Sequence, residues 1–179
     1  MKKILTLSLY AFLLTGFFSI SSCTKEPLII PYNLTEYEFD IPANPYQAYQ
    51  TYTFNLLHAD VQTVLTAAGI TDMGRVQKAA LKSGFKAKAS VTGTNLDEIL
   101  SVEVYMKEMG TGGDGTQVAY SQNIGSGASE TLLLINGADL KMAVTKDVTF
   151  TVKVLNKPTG NSALKLKLGE GIIDVTVRQ

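Results

Sequence analysis

Leu164-Lys165-Leu166-Lys167-Leu168-Gly169-Glu170-Gly171-Ile172-Ile173-Asp174-Val175-Thr176-Val177 decides the class of fold. Its apolar residues alternate with polar ones at a period of two, the signature of a strand with one buried face. The phase then changes: Leu164, Leu166 and Leu168 are even, whereas Ile173, Val175 and Val177 are odd. A β-bulge or kink at Gly169-Glu170-Gly171 explains the switch, because one extra residue turns the opposite face inward.

Working outward, the same period recurs along the chain. Val148, Phe150, Val152 and Val154 alternate with Thr149, Thr151 and Lys153. Val102, Val104 and Met106 alternate with Glu103, Tyr105 and Lys107, and Gly110–Gly115 (GTGGDG) connects that strand as a hairpin to Thr116–Gln122. From Leu81 to Val91 the odd positions are expected to face inward, with Lys82, Lys86, Lys88 and Ser90 in water. Tyr37, Phe39 and Ile41, then Tyr52, Phe54 and Leu56, give two further strands with a turn at Pro42-Ala43-Asn44-Pro45. Glu130–Ile135 (ETLLLI) is nearly continuous in apolar residues, which predicts a strand covered on both faces. Lys157–Asn161 turns the chain back.

One helix interrupts this series. Asp60 is the expected N-cap, Val61, Val64, Leu65 and Ala68 follow at helical spacing, and Gly69 stands at the C-terminal cap. Ala138–Val144 offers one more helical turn. Eight or so strands with one short α-helix predict a mainly β protein, an antiparallel β-sandwich of immunoglobulin-like or jelly-roll type.

The N-terminal residues carry a different message. Met1-Lys2-Lys3 is basic, Ile4–Ile20 contains no charge, and Ile20-Ser21-Ser22-Cys23 follows. This order resembles a bacterial lipoprotein signal peptide ending in a lipobox, with an aliphatic residue and two small residues ahead of the lipidated Cys. The resemblance implies that residues 1–22 are cleaved, that Cys23 takes the lipid, and that 23–33 form a lipidated N-terminus and extended tether. Pro27 and Pro31 fit that tether, since neither is compatible with a helix interior. Residues 34–179 would then be the sandwich. Anchor and strand-rich body together resemble the small β-sandwich lipoproteins of Bacteroidota, which implies an outer-membrane location, facing either the periplasm or the surface.

Composition restricts the chemistry. The chain of 179 residues has 16 basic and 16 acidic residues, one His and one Cys. Loss of Lys2 and Lys3 with the signal leaves a slight acidic excess, which speaks against nucleic acid. A lipidated Cys23 and a single His58 cannot assemble a zinc site, no Gly-x-Ser-x-Gly surrounds any serine, and Asp114 in the glycine-rich hairpin reads as a loop tip rather than a Ca²⁺ turn. His58 reads as a surface or capping residue. No cofactor, metal or catalytic residue is expected.

Glu36, Glu38, Asp40, Asp97, Glu98 and Glu103 are the acids a glycoside hydrolase would need, but most fall on the polar faces of strands. The Lys82, Lys86 and Lys88 stripe is expected to pair with Glu103 or to discourage edge aggregation. Seven of the eleven aromatic residues after Cys23 lie between Tyr32 and Phe54. Among them Tyr46 and Tyr49 fall outside the inward pattern, which leaves two readings: an exposed contact for a glycan or peptide, or ordinary packing. The expected function is a lipid-anchored envelope protein acting as a non-enzymatic binding or structural module, with another envelope protein or a glycan as partner. The alternative is a glycan-handling accessory protein or hydrolase.

Overall fold

The computed structural model describes residues 25–43, 47–157 and 163–179. The expected signal peptide, Cys23, Tyr46, half of the turn expected at Pro42–Pro45 and most of the one expected at Lys157–Asn161 lie outside these. The described chain is mainly β, in three antiparallel sheets. The strands are β1 (Leu28–Asn33), β2 (Tyr37–Ile41), β3 (Tyr49–Leu56), β4 (Val76–Ser83), β5 (Lys86–Ala89), β6 (Ile99–Glu108), β7 (Thr116–Gln122), β8 (Glu130–Leu132), β9 (Leu134–Ile135), β10 (Val148–Asn156), β11 (Leu164–Gly169) and β12 (Ile172–Val177). The helices are α1 (His58–Ala67) and the single turn α2 (Met142–Thr145).

One five-stranded sheet runs β3-β10-β6-β7-β9. Two smaller ones, β1-β12-β4 and β2-β11-β5-β8, are joined through the chain itself. β1 continues into β2, β12 lies beside β11 in sequence, and β4 continues into β5. Each run bends, leaves one small sheet and enters the other. Glu130–Ile135 does the same between β8, on a small sheet, and β9, on the large one. The twelve strands among the described residues are thus eight runs, four of them split.

The phase change in the last run is one of these bends. Glu170 adopts a left-handed φ of 61°, and Leu166 and Val175 are both fully buried despite their opposite parity. Gly171 is confined by packing: a Cβ there would lie 3.0 Å from Leu34 and from Phe85. The bend between β4 and β5 falls at Gly84, where a Cβ would run into the carbonyl oxygen of Leu133. Only glycine lets the two bent runs touch there.

Four expectations are corrected. Leu28–Asn33 is no free tether: β1 pairs with β12 from Leu28↔Val177 to Asn33↔Ile172. Pro31 is tolerated because β1 is an edge strand, where a missing N–H costs no ladder bond. The inward face of 81–91 ends early, for Val91 lies beyond β5 and is half exposed. Glu130–Ile135 is not covered on both faces. Leu133 is buried at the crossover, but Leu132 and Leu134 are 59% and 60% exposed, because a run that changes sheets presents only its crossing residue to the core. Finally, α1 begins at His58 rather than after Asp60, with Leu57 as N-cap residue. A distant carboxylate does the capping: Asp147 Oδ1 accepts the His58 backbone N–H at 2.9 Å. Asp60 sits in the first turn, where the helix dipole favours negative charge. Gly69 does stand just past the helix with φ 83°, as a C-terminal cap requires.

The core lies between the large sheet and the bent pair. Val148, Phe150, Val152 and Val154 of β10 are fully buried, opposite Leu166, Leu168, Ile173 and Val175. α1 covers one end with Val61 and Leu65. The aromatic cluster closes the β2/β3 side: Tyr37 stacks on Phe54 at 3.9 Å, Phe54 on Phe150 at 4.9 Å, and Phe39 meets Tyr52 at 5.0 Å. Most of that aromatic density is therefore packing, with Tyr49 the exception among the described residues. No helix among these residues is long and apolar enough to cross a membrane.

Candidate functional site: a buried carboxylate beneath Tyr49

The outer face of the five-stranded sheet is built in rows by strand register. Tyr49, Leu155, Ser101 and Gln122 align across β3, β10, β6 and β7. Two residues along, Thr51, Lys153, Glu103 and Tyr120 form the next row. Such a face is ordinarily solvated, yet Ser101 is 4% and Glu103 9% exposed. Both sit mid-sheet, overlain by the longer side chains around them.

Glu103 is held by two tyrosines. Tyr105 Oη donates to Oε2 at 2.6 Å and Tyr49 Oη to Oε1 at 3.2 Å. The bond to Glu103 pushes the Tyr105 hydroxyl up to about 12, with burial adding to the effect. Lys153 is the cross-strand neighbour of Glu103, but its ammonium goes elsewhere, 2.6 Å from Asp114 Oδ2 and 5.2 Å above the Tyr105 ring. Asp114 is therefore the partner of a lysine at the hairpin tip. The expected pairing of Glu103 with the Lys82, Lys86 and Lys88 stripe is corrected, because those residues belong to the other sheets: Lys82 meets Asp174, and Lys86 and Lys88 meet Glu170.

A pocket of about 200 Å³ opens beside this carboxylate, lined by Tyr49, Leu100, Ser101, Glu103, Gln122, Asn123 and Leu155. Tyr49 forms its rim and is 53% exposed. Ser101 Oγ is buried and has no hydrogen-bond partner among the described residues. Asn123, just past β7, reaches the pocket from a left-handed backbone at φ 56°. Sequence reasoning singled out Tyr49 but missed Ser101, Gln122 and Asn123; the alternation of Val102, Val104 and Met106 with Glu103, Tyr105 and Lys107 put Glu103 on an ordinary polar face, and no local signal marked the pocket.

Two other concavities carry polar groups. His58 Nδ1 lies 2.6 Å from Asp147 Oδ1, in an open groove of about 520 Å³ with Glu108, Met109, Gly110 and Lys146. The histidine holds the Asp147 carboxyl below its usual range. The pair ties the start of α1 to the residue just before β10, and Lys146 is committed to Glu108 at 2.7 Å. The second groove, about 510 Å³, follows the bend past Gly84 and Gly171 with Glu36 and Glu170. Both acids are ion-paired, Glu36 with Lys167 and Glu170 with Lys86 and Lys88. Among the described residues, no three His, Cys, Asp or Glu side chains are arranged to hold a metal ion.

No family model matches the chain, and no curated protein matches it. The chain is similar in structure to a chain of infectious bursal disease virus, Gt strain, at 14% identity and a TM-score of 0.39 over 87% of this chain. It is similar also to the VP2 subviral particle of that virus, at 12% identity and a TM-score of 0.37 over 87%. In both cases it spans about a third of the viral chain's length, 34%. A third similar structure, from Cocksfoot mottle virus, shares 13% identity at a TM-score of 0.29, over 84% of this chain and 83% of that one. Strand order and register make this chain a mainly β, antiparallel sandwich.

Proposed function

We propose that the protein is a lipid-anchored cell-envelope module that binds through the outer face of its five-stranded sheet, without catalysis. The observation that carries the binding reading is Tyr49: a half-exposed aromatic ring at the rim of a pocket, with its hydroxyl tied to a buried carboxylate. A ring fixed in this way offers contact area at low entropic cost. The lipobox-like Ile20-Ser21-Ser22-Cys23 supports the anchor, and the resemblance it carries supports the outer membrane as its address.

The hydrolase alternative gains little from the geometry. Glycoside hydrolysis needs one carboxyl kept protonated near neutral pH. Glu38, which accepts from Ser90 and then Lys165, and Glu170, which accepts from Lys88 and Lys86, are instead held below the usual carboxylate range, and Glu36, Glu108 and Asp114 are also ion-paired. The test is a glycan array and an envelope-fraction pull-down with the mature domain, comparing wild type, Tyr49→Ala and His58→Ala. Binding lost in Tyr49→Ala and kept in His58→Ala supports the reading. Binding lost in His58→Ala with folding intact, and kept in Tyr49→Ala, overturns it.

A further inference from the structure

We infer that the Tyr49 pocket takes a compact organic cation, an alkylammonium or guanidinium group presented as a lysine or arginine side chain of a partner protein. This rests on the reading of that face as the binding surface and adds the chemistry of what it binds. The starting point is a buried charge without a counter-ion. Glu103 is the most buried carboxylate among the described residues and forms no ion pair within them, although Lys153 is its direct cross-strand neighbour. An uncompensated buried charge is costly unless a partner completes it.

The two tyrosine hydroxyls satisfy only part of its capacity. An ionised carboxylate offers about four acceptor sites, so about two remain after Tyr49 and Tyr105 have donated. Around them the pocket gathers further polar groups: the unpartnered Ser101 hydroxyl, and Gln122 and Asn123, whose side-chain amides each carry an acceptor oxygen. Glu103 is the pocket's sole formal charge. A neutral guest leaves that charge in place, whereas an ammonium or guanidinium cancels it with charge-assisted bonds, roughly twice as strong as neutral ones.

Shape agrees with charge. The volume of about 200 Å³ lies below the range of drug-sized pockets, roughly 300–1,000 Å³, and suits a single head group on a short stem. Leu100 and Leu155 supply apolar wall for methylenes, and the Tyr49 ring supplies a face for the cation.

The experiment is an NMR titration of the mature domain with n-butylammonium, ethylguanidinium and methyl glucoside, following the backbone amides of Ser101, Gln122 and Asn123. At least one cation is expected to give saturable shifts, with a dissociation constant of roughly 1–10 mM. Glu103→Gln, of the same shape but uncharged, should weaken that binding at least tenfold. Should Glu103→Gln fail to fold, Tyr49→Ala at the exposed rim should weaken it at least threefold. Cation shifts unchanged in a folded variant overturn the proposal. Shifts from methyl glucoside with none from either cation overturn it while leaving the binding reading intact, and no response to any probe overturns both.

Discussion

Gly84→Ala isolates the bend on which the three-sheet arrangement depends. Gly84 is buried and its backbone is not in the left-handed region, so an alanine there meets no intrinsic strain. The added methyl would overlap the Leu133 carbonyl oxygen and lie 3.6 Å from Ile135 Cγ1. A backbone oxygen cannot swing aside like the tip of a long side chain. The Leu133 N–H donates to Phe85 O at 2.8 Å, which locks that peptide to the neighbouring run. Overpacking costs about 1–3 kcal/mol and loss of the Leu133–Phe85 bond about 1 kcal/mol more. A loss near 3 kcal/mol lowers the melting temperature by about 6–12 °C for a domain of this size. Differential scanning calorimetry of residues 25–179 measures it. Gly125→Ala serves as control, since a Cβ there meets nothing within 4 Å, and its stability should stay within about 0.5 kcal/mol. Equal melting of the two variants would refute the contact between the bent runs.

Three other predictions follow from packing and charge. Leu166→Ala and Val175→Ala, on opposite parities of one run, should both destabilise strongly in urea, Leu166→Ala by about 2–5 kcal/mol; a mild effect at either position contradicts the switch of faces. Glu170 is held at about 2 by Lys88 and Lys86, a lowered carboxylate. Its contribution is therefore complete above pH 4.5 and fades as pH falls towards 2, and Glu170→Gln should flatten the stability–pH curve within that window. Tyr105, raised from 10 to about 12, adds stability that disappears as pH climbs through that interval; ultraviolet titration should show its transition moving back towards 10 in Glu103→Gln.

Local periodicity carried much of the architecture. The alternation in β6 and β10, the shift of phase at Gly169–Gly171, and Gly69 beyond α1 all followed from which neighbours a residue must face. What eluded the sequence depended on partners distant along the chain. A strand and a strand that changes sheets have the same alternation, so nothing local marks Gly84 or Leu133 as crossing points. Leu28–Asn33 looked like a tether because Pro27 and Pro31 exclude a helix, while its partner β12 lies at the other end of the sequence. Asp147 caps α1 from 89 residues away. At the candidate site Tyr49 stood out because it fell outside the inward-facing alternation, whereas Glu103 resembled any charge on a strand's polar face. Its burial arises from the side chains that register sets around it.

Cys23 bears the claim that this sandwich works as a tethered module. The most direct test is the intact mass of the full-length protein, expressed in a diderm bacterium and extracted from membranes. The predicted result is a chain beginning at Cys23 and carrying a diacylglyceryl group, with Cys23→Ala accumulating as the uncleaved precursor. A mature chain that starts elsewhere, or starts at Cys23 with a free thiol, would contradict it.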